Sequence, residues 1–395
     1  MAITPARKQI TETVERYVRR KILKAIFPSA PADLVKKADT LKAGILGRKT
    51  GYSLGLYNRE QKLLLTNEEV AAALPLEKLK GFSPAFVLKS HSDRARFGVT
   101  AEGRVVEFKG TTPAEFYPDK TNPNSGDPEG LLSLEAARNE ARGLTLIGEL
   151  ETQVVDLGEV FTAYKGFAQL YRAGKAGNRY FPWLRLDSPL TVIQLLAELE
   201  GKSLEQFLFE SGERAGRQLK KLHDAGYTLH NPWREGEILG RRARAPLTFS
   251  SLHPANVEIH GNLVDTEGMR TFEAAKELFW RRLSEDPKVD LDPAEKKDYE
   301  TGRKSPAYFS RLCDIQRFIG GAHKLDRSLL GVLGERQFLS LLSGLLKGYY
   351  RAPDGEIRPI IEELKESFTR ARTRAKTLPI QSTHLRILSR LEPAA

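Results

Sequence analysis

The sequence predicts an α+β protein in which a small antiparallel sheet with one helix precedes a larger helical part. Three short apolar runs follow one another closely, at Phe86–Leu88, Phe97–Val99 and Arg104–Phe108. Their short connections favour an antiparallel meander. Two further strands are expected at Arg179–Leu186 and Leu190–Leu199, and the second is apolar enough for the centre of a sheet.

Helical patterns dominate the rest of the chain. Residues 8–27 carry an apolar residue at every fourth position, which predicts an amphipathic helix. Residues 215–225 predict the end of a long helix, with Gly226 as its C-cap. Two more amphipathic stretches follow at 306–325 and 335–350. The second half of the chain is therefore expected to be mainly helical.

These patterns divide the chain into three parts. We expect an N-terminal helical extension over residues 1–80, a lobe containing the sheet over 81–200 and a helical lobe over 201–395. A chain of 395 residues is long enough to bury one or two sizeable cores. Two lobes in one chain agree with this length.

The composition is that of a globular protein with an excess of positive charge. Apolar residues make up 40% and charged residues 29%, and the net charge is +11. This charge favours polyanionic partners such as nucleotides or acidic protein surfaces. Because Lys and Arg are spread along the chain, nucleic acid is not expected as a partner.

Several classes of protein are disfavoured by the sequence. It contains no run of about 18 apolar residues, so no membrane span is expected. The N-terminus lacks the apolar segment of a signal peptide, which predicts a cytoplasmic protein. The single cysteine, Cys313, excludes an internal disulfide and is expected in the core.

A short run near the middle of the second half carries the candidate metal ligands. Val257, Ile259, Leu263 and Val264 surround Gly261-Asn262, which predicts a β-hairpin over 257–264. Asn256 precedes this hairpin and Asp265 follows it, so the amide and the carboxylate should converge. Two such oxygens suit Mg²⁺. The alternative is an ordinary surface hairpin in which the Asn caps a turn.

The same run resembles the catalytic segment of kinase-fold enzymes. Residues 252–256 read LHPAN and match an L-H-P-x-N element, and residues 265–268 read DTEG, where the family has D-F-G or D-x-G. The resemblance implies that Asn256 and Asp265 hold Mg²⁺ on ATP. The family's catalytic Asp falls on Ser251, and a hydroxyl cannot accept the substrate proton as a carboxylate does.

The first half resembles selenoprotein O, a kinase-fold family that transfers AMP to protein hydroxyls. Lys109 ends a predicted strand and opens a KGTTP run, and a predicted helix then carries Glu135 and Glu140 five residues apart. By order, the resemblance implies that Glu135 orients Lys109 on the phosphates. That family uses an Asp directly before its metal-binding Asn, and this sequence has Ala255 there.

Other nucleotide contacts follow from the same resemblance. The basic loop Lys89–Arg96 takes the place of the phosphate-covering loop but is not glycine-rich, so Arg94 or Arg96 would reach phosphates by charge. The run from Glu200 to Leu204 resembles the hinge of small-molecule kinases. The backbone of Glu198–Glu200 would then meet the adenine.

Three functions remain open from the sequence. The first is ATP- and Mg²⁺-dependent AMP transfer to a protein or peptide hydroxyl, with Ser251, Lys109 and Glu135 at the reaction centre. The second is phosphoryl transfer to a small molecule or peptide. The third is a pseudokinase that binds ATP without turnover, as Ser251 and Ala255 favour. The basic segment 231–248 is the expected contact for an acidic protein or peptide acceptor.

Overall fold

The computed structural model describes most of the two predicted lobes. The described residues are 20–40, 53–55, 86–89, 95–100, 102–110, 131–159, 165–175, 178–231, 235–238, 241–244, 250–285, 306–320 and 333–351, with 355, 358, 359 and 362. They belong to two compact units, the first within Met1–Ala141, Gly148–Leu184 and Ser188–Leu204 and the second within Arg142–Ile147, Arg185–Asp187 and Glu205–Ala395. The protein is thus of mixed α+β class with an antiparallel sheet.

The first unit is built on a six-stranded antiparallel sheet of order β1-β2-β3-β4-β6-β5. Its strands are β1 (Ser53–Gly55), β2 (Phe86–Lys89), β3 (Ala95–Val99), β4 (Val105–Lys109), β5 (Leu150–Asp156) and β6 (Ala168–Gly174). The predicted meander is confirmed as β2, β3 and β4. Strand β1 extends it from within the predicted N-terminal extension, because residues 53–55 pair with Val87–Lys89.

Three labelled helices belong wholly or partly to the first unit. They are α1 (Ala32–Thr40), α2 (Leu134–Ile147), whose last turns belong to the second unit, and α3 (Leu190–Leu199). Residues 20–26, the described end of the predicted first helix, are also helical. A buried cluster of Leu132, Ala137, Ala168 and Leu170 joins helix α2 to strand β6. This packing places helix α2 against strand β6, the neighbour of β4 in the sheet.

The two strands predicted at Arg179–Leu186 and Leu190–Leu199 are wrong. The first segment consists of turns and a single bridge at Arg185. The second is helix α3. Its exposed or half-exposed polar residues, Thr191, Gln194 and Glu198, recur at intervals of three and four, which is the helical period. Ten residues are also long for a strand and ordinary for a helix.

The second unit is mainly helical, as predicted. Its helices are α4 (Leu204–Asp224), α5 (Phe272–Glu285), α6 (Pro306–Gly320) and α7 (Glu335–Tyr350). The expected cap of α4 is confirmed, because Gly226 has φ +83° and its N–H donates to His223 O. Cys313 is fully buried in α6, as expected. The basic tail 370–376 lies outside the described residues.

Helices α4 and α7 approach each other through glycines. A Cβ on Gly212 would lie 2.0 Å from the carbonyl oxygen of Leu341, and one on Gly344 would lie 2.0 Å from that of Phe209. Gly216 and Gly348 make equally close approaches one turn further along. Two helix backbones can therefore meet here only because these positions carry no side chain.

Two short ribbons complete the second unit. Strand β7 (Tyr227–Thr228) pairs with β10 (Arg270–Thr271), and β8 (Glu235–Ile238) pairs with β9 (Arg241–Arg244). The second ribbon lies within 231–248, so the predicted basic loop is in fact an antiparallel hairpin over its described part. In the described part of the chain, no helix combines the length and the apolar character needed to cross a bilayer.

Candidate functional site

A buried ion pair stands at the end of strand β4 in the first unit. Lys109 is the last residue of this strand, and its Nζ donates to Oε2 of Glu140 at 2.8 Å. Glu140 is fully buried in helix α2, and Lys109 is 8% exposed. Charges so far from water need a partner, because desolvation costs several kcal/mol for each ion. The sheet therefore presents an ammonium group oriented by a helix carboxylate.

The prediction that Glu135 is the partner of Lys109 is wrong. Glu135 lies in the first turn of helix α2 and is exposed. At about 100° per residue, five residues place Glu135 and Glu140 about 140° apart around the helix axis. Glu140 is buried on the same side of the helix as Ala137, which packs against Ala168 and Leu170 of strand β6. The burial stripe, rather than the order of the two acids, identifies the partner.

Arg172 connects this pair to a second carboxylate. It lies on β6 directly opposite Glu107 and bonds to it through Nε, and it bonds to Glu140 through Nη1. Tyr180 donates its hydroxyl to Glu107 Oε2 at 2.6 Å. Lys109 lies on the same face of β4 as Glu107, two residues away. The ion pairs of this network thus join two cations to two carboxylates.

Electrostatics keep Arg172 charged. Burial alone would lower the pKa of its guanidinium, but Glu107, the Tyr180 hydroxyl and Glu140 act in the opposite direction and outweigh it. The pKa of Arg172 therefore lies well above its ordinary value. Arg172 therefore keeps its charge inside the protein.

Of the other predicted nucleotide contacts in the first unit, the structure describes the backbone of Arg96 and the side chains of Glu198 and Glu200. Arg94 lies outside the described residues. Arg96 belongs to strand β3, where it pairs with Lys89 and Phe108, so it does not lie in a loop. Glu198 bonds to Lys37 at 3.0 Å.

The expected hinge is absent at Glu198–Glu200, because helix α3 uses the backbone there. The Glu200 N–H donates to Leu196 O and Ala197 O, and the Glu198 carbonyl accepts from Gly201. The Glu200 side chain pairs with Arg179 at 3.2 Å and with Lys202 at 3.3 Å. A hinge needs free backbone groups on an extended segment, and these groups are occupied.

A cleft of about 460 Å³ also opens in the first unit. Its walls are the β3–β4 turn around Gly103, the start of β5 and the segment 174–181. Arg104 and Glu151 line it and pair with each other at 2.6 Å. Lys109 does not line this cleft, but Tyr180, whose hydroxyl bonds to Glu107, does.

In the second unit, the predicted hairpin is present as a tight turn. Val257 and Leu263 form a β-bridge, and the Val264 N–H donates to Asn256 O at 3.2 Å. The ends of the segment are therefore held together, as expected. The turn itself lies two residues earlier than predicted, since the Gly261 N–H donates to Glu258 O at 2.7 Å and places Ile259 and His260 at its centre.

A buried polar network fixes this turn. Glu258 is fully buried and accepts from His260 Nδ1 at 2.8 Å and from Asn262 Nδ2 at 2.7 Å. Gln218 of helix α4 donates to Asn262 Oδ1 at 3.2 Å and accepts from the Leu263 N–H at 2.8 Å. Gly261 has φ +88° and lies against Ser211 of the same helix. The turn is thus attached to α4 and cannot shift in register.

The candidate metal ligands lie at the two ends of this turn. The Asn256 side chain donates its Nδ2 to Ser251 O at 2.8 Å, which leaves its amide oxygen as an acceptor. Carboxylate oxygens of Asp265 and Glu267 come within 4.8 Å of each other. Amide and carboxylate oxygens are the hard ligands that Mg²⁺ takes. The donor types at Asn256 and Asp265 therefore fit this ion.

By sequence resemblance, Ser251 occupies the position at which kinase-fold enzymes carry their catalytic Asp. It is half-buried, and its backbone N–H donates to Leu229 O. A Cβ on Gly268 would lie 3.2 Å from its hydroxyl oxygen, so Ser251 lies beside the segment that follows Asp265. The hydroxyl offers no carboxylate charge at this position.

A carboxylate of helix α6 anchors the segment that leads to Ser251. Asp314 is fully buried and accepts from Thr228 Oγ1 at 2.7 Å, from the Leu229 N–H at 3.0 Å and from the Ser250 hydroxyl. His223 lies 2.9 Å from it through Nε2. Four donors thus converge on one carboxylate and hold the residues before Ser251 in place.

The charge states of this pair follow from burial and hydrogen bonding. Burial alone would raise the pKa of Asp314, but bonds from His223, Ser250 and Thr228 hold it below its ordinary value. Burial lowers the pKa of His223, against the effect of Asp314. We therefore assign a neutral His223 that donates from Nε2 to Asp314 and accepts at Nδ1 from Tyr349, 2.6 Å away.

Lowering the pH should destabilise the protein through His223. Because its folded pKa is below the usual value of about 6.5, the unfolded chain binds the proton first, and stability falls as the pH drops below about 6.5. The expected loss is at most about 1.4 kcal/mol per pH unit. Urea unfolding at pH 7 and pH 5.5 measures it. His223→Gln should reduce this pH dependence, and an equal dependence in both proteins would contradict the assignment.

Sequence reasoning missed the buried charges that organise both units. Glu107 and Arg172 occupy buried strand positions, and Asp314 occupies a buried helix position. A charge inside an apolar run was the available signal for Glu107 and Asp314. The sequence offered no such signal for Arg172, because the strand that carries it was not predicted.

Comparison of the chain with protein-family models, with curated protein sequences and with solved structures gave no match.

Proposed function

We propose that the protein binds ATP with Mg²⁺ and transfers AMP to a hydroxyl of a protein or peptide. The observation that carries this proposal is the buried Lys109–Glu140 pair at the end of a sheet strand. In protein kinases, a strand lysine paired with a helix glutamate holds the nucleotide phosphates. A buried ammonium kept in place by a carboxylate suits this task.

The order of elements in the first unit supports a kinase-like N-lobe. Three meander strands lead to Lys109, helix α2 supplies the partner carboxylate, and strand β6 returns beside β4. In the proposal, Lys109 contacts the phosphates and Glu140 orients it. Arg94 and Arg96 remain candidates for further phosphate contacts. Glu198 and Glu200 receive no role, because helix α3 uses their backbone groups.

The second unit supplies the metal ligands in this proposal. Asn256 and Asp265 would hold Mg²⁺, which neutralises phosphate charge when bound. The acceptor oxygen attacks the α-phosphorus, the bond to the β-phosphate oxygen breaks, and pyrophosphate leaves. The hydroxyl proton passes to solvent, since Ser251 is no base. Positioning and charge neutralisation account for most of such catalysis, so a missing base slows the reaction without preventing it.

The acceptor is proposed to dock on the basic segment 231–248. Its described part is the β8–β9 hairpin, in which the Cα atoms of Glu237 and Arg242 lie opposite each other. The segment carries Arg234, Arg241, Arg242 and Arg244. Charge of this sign favours an acidic stretch on the acceptor.

Labelled ATP tests the proposed reaction. Incubation with [α-³²P]ATP and Mg²⁺ should label a protein acceptor, while [γ-³²P]ATP should not. Lys109→Ala and Asp265→Ala should each reduce labelling by about 10²-fold or more, because each removes a charge that stabilises the transferring group. Glu135→Gln, an exposed change on helix α2, should leave labelling intact. Transfer from the γ position alone would establish phosphoryl transfer instead.

Ser251 and Ala255 favour a second candidate, a protein that binds ATP without turnover. Neither position carries the carboxylate that kinase-fold enzymes use as a base. This candidate predicts that ATP with Mg²⁺ raises the melting temperature although neither label is transferred. Asp265→Ala should abolish that rise. An equal rise in the variant would remove the metal role from both candidates.

A further inference from the structure

Two arginines of the second unit flank Asp314. Arg270 of β10 pairs directly with Thr228 of β7, so both side chains lie on the same face of the ribbon. Thr228 uses that face to donate to Asp314 at 2.7 Å. Arg311 precedes Asp314 by three residues on helix α6, which places the two on one helix face. Asp314 acts electrostatically on Arg270, and Arg311 acts on His223, which bonds to Asp314, so both guanidinium groups lie near the same buried pair.

Neither arginine has a carboxylate partner within bonding distance among the described residues. Arg311 lies over the ring of Phe272 at 5.4 Å, and its buried Nε has no acceptor. Arg270 makes one long bond, from Nε to Gly268 O at 3.4 Å. A buried guanidinium N–H without an acceptor is unfavourable. The ring fixes Arg311, so the group cannot turn to solvent without losing that contact.

Asp314 cannot serve as the missing acceptor. Its oxygens already accept from His223, Ser250, Thr228 and the Leu229 N–H. A carboxylate has about four acceptor positions, so these donors fill them.

The charges around the two arginines do not balance. His223 is neutral, and the other carboxylate that acts on it, Asp224, pairs with Lys220 at 3.0 Å. Among the residues that the structure describes, Asp314 is therefore the one carboxylate whose charge acts near these two guanidinium groups. Burial also lowers the pKa of Arg270, although Asp314 raises it. A bound anion would compensate the excess positive charge and would accept a hydrogen bond from the Arg311 Nε.

We propose that Arg270 and Arg311 form a binding site for a phosphoryl group, supplied as inorganic phosphate or as a phosphate monoester. A tetrahedral oxyanion accepts from two guanidinium groups at once, and such charge-assisted bonds are the strong ones. The site lies wholly within the second unit and uses neither Lys109 nor Asp265. It is therefore independent of the proposed AMP transfer.

Calorimetric titration of the full-length protein with sodium phosphate tests the site, without nucleotide or Mg²⁺ and at constant ionic strength. Saturable one-site binding is expected. Arg270→Gln and Arg311→Gln should each weaken it by about tenfold or more, since each removes a charged donor. Arg217→Gln, an exposed arginine paired with Glu213, is the matched control and should bind as the parent does.

A second probe separates the two sources of the phosphoryl group. Blocked phosphothreonine that binds more tightly than inorganic phosphate would indicate a monoester, and the reverse order would indicate the free anion. If a glutamine variant fails to fold, Arg270→Lys retains the charge but loses the planar fork, and it should still weaken binding. The absence of saturable heat with either probe, or equal affinity in the Arg270 and Arg217 variants, would overturn the proposal.

Discussion

Replacing Glu140 by alanine should lower the free energy of unfolding by about 3–5 kcal/mol. This carboxylate is fully buried and bonds to both Lys109 and Arg172. Its removal takes away the carboxylate that lies 2.8 Å from the buried Lys109 ammonium group, and removing one member of a buried ion pair is the costly way to break it. Urea unfolding followed by circular dichroism and by tryptophan fluorescence measures the change. Trp183 is buried in the same unit and reports on it directly.

Two further variants identify the origin of this loss. Glu135→Ala removes an exposed acid from the same helix and should change stability by no more than about 0.5 kcal/mol. Adding Lys109→Met to Glu140→Ala removes the stranded charge and should restore part of the lost stability. A loss below about 1 kcal/mol for Glu140→Ala, or no recovery in the double variant, would show that the pair does not hold helix α2 on the sheet.

Substitution of Gly344 by alanine should destabilise the second unit by about 3 kcal/mol. The new Cβ would lie 2.0 Å from the carbonyl oxygen of Phe209, and backbone of a packed helix cannot move aside as a side chain can. Overpacking of this kind costs about 1–3 kcal/mol, sometimes more. Alanine also favours a helix over glycine by about 1 kcal/mol, so the observed loss is a lower limit on the steric cost.

The control for this substitution lies one turn earlier on helix α7. Ser340→Ala removes a hydroxyl bonded only to the Arg336 carbonyl of its own helix, and stability should change by about 0.5 kcal/mol or less. Gly212→Ala, on the facing helix, should resemble Gly344→Ala because its Cβ meets Leu341 O at the same distance. A stabilising effect of either glycine substitution would mean that the two helices are further apart than described.

The parts of the fold that were predicted are those whose sequence pattern lies within the element itself. Strands β2, β3 and β4 are short apolar runs separated by five residues each, and helix α4 is followed closely by Gly226. Strand β6 escaped prediction because Gln169 and Arg172 interrupt its pattern, although both are buried. Arg172 is accommodated by Glu107 and Glu140, which lie 65 and 32 residues away, and no local pattern reveals such partners.

The candidate site was also predicted only in part. Lys109, Asn256 and Asp265 stand at the ends of recognisable elements, so their positions could be anticipated. The partner of Lys109 could not be chosen by order alone, and the burial stripe of helix α2 selected Glu140. The hinge prediction depended on Leu190–Leu199 being a strand, and it was lost when that segment proved helical.

The position of β6 between β4 and β5 also determines when the sheet can form during synthesis. A ribosome releases residues 53–109 and 150–156 before residues 168–174, so the nascent chain carries two strands whose shared neighbour is still missing. Over that interval Glu107 and Glu140 also lack Arg172, to which both bond in the folded protein. At about 5–20 residues per second the interval lasts only seconds. A chain truncated before Ala168 would remain in this state, with open strand edges that invite aggregation.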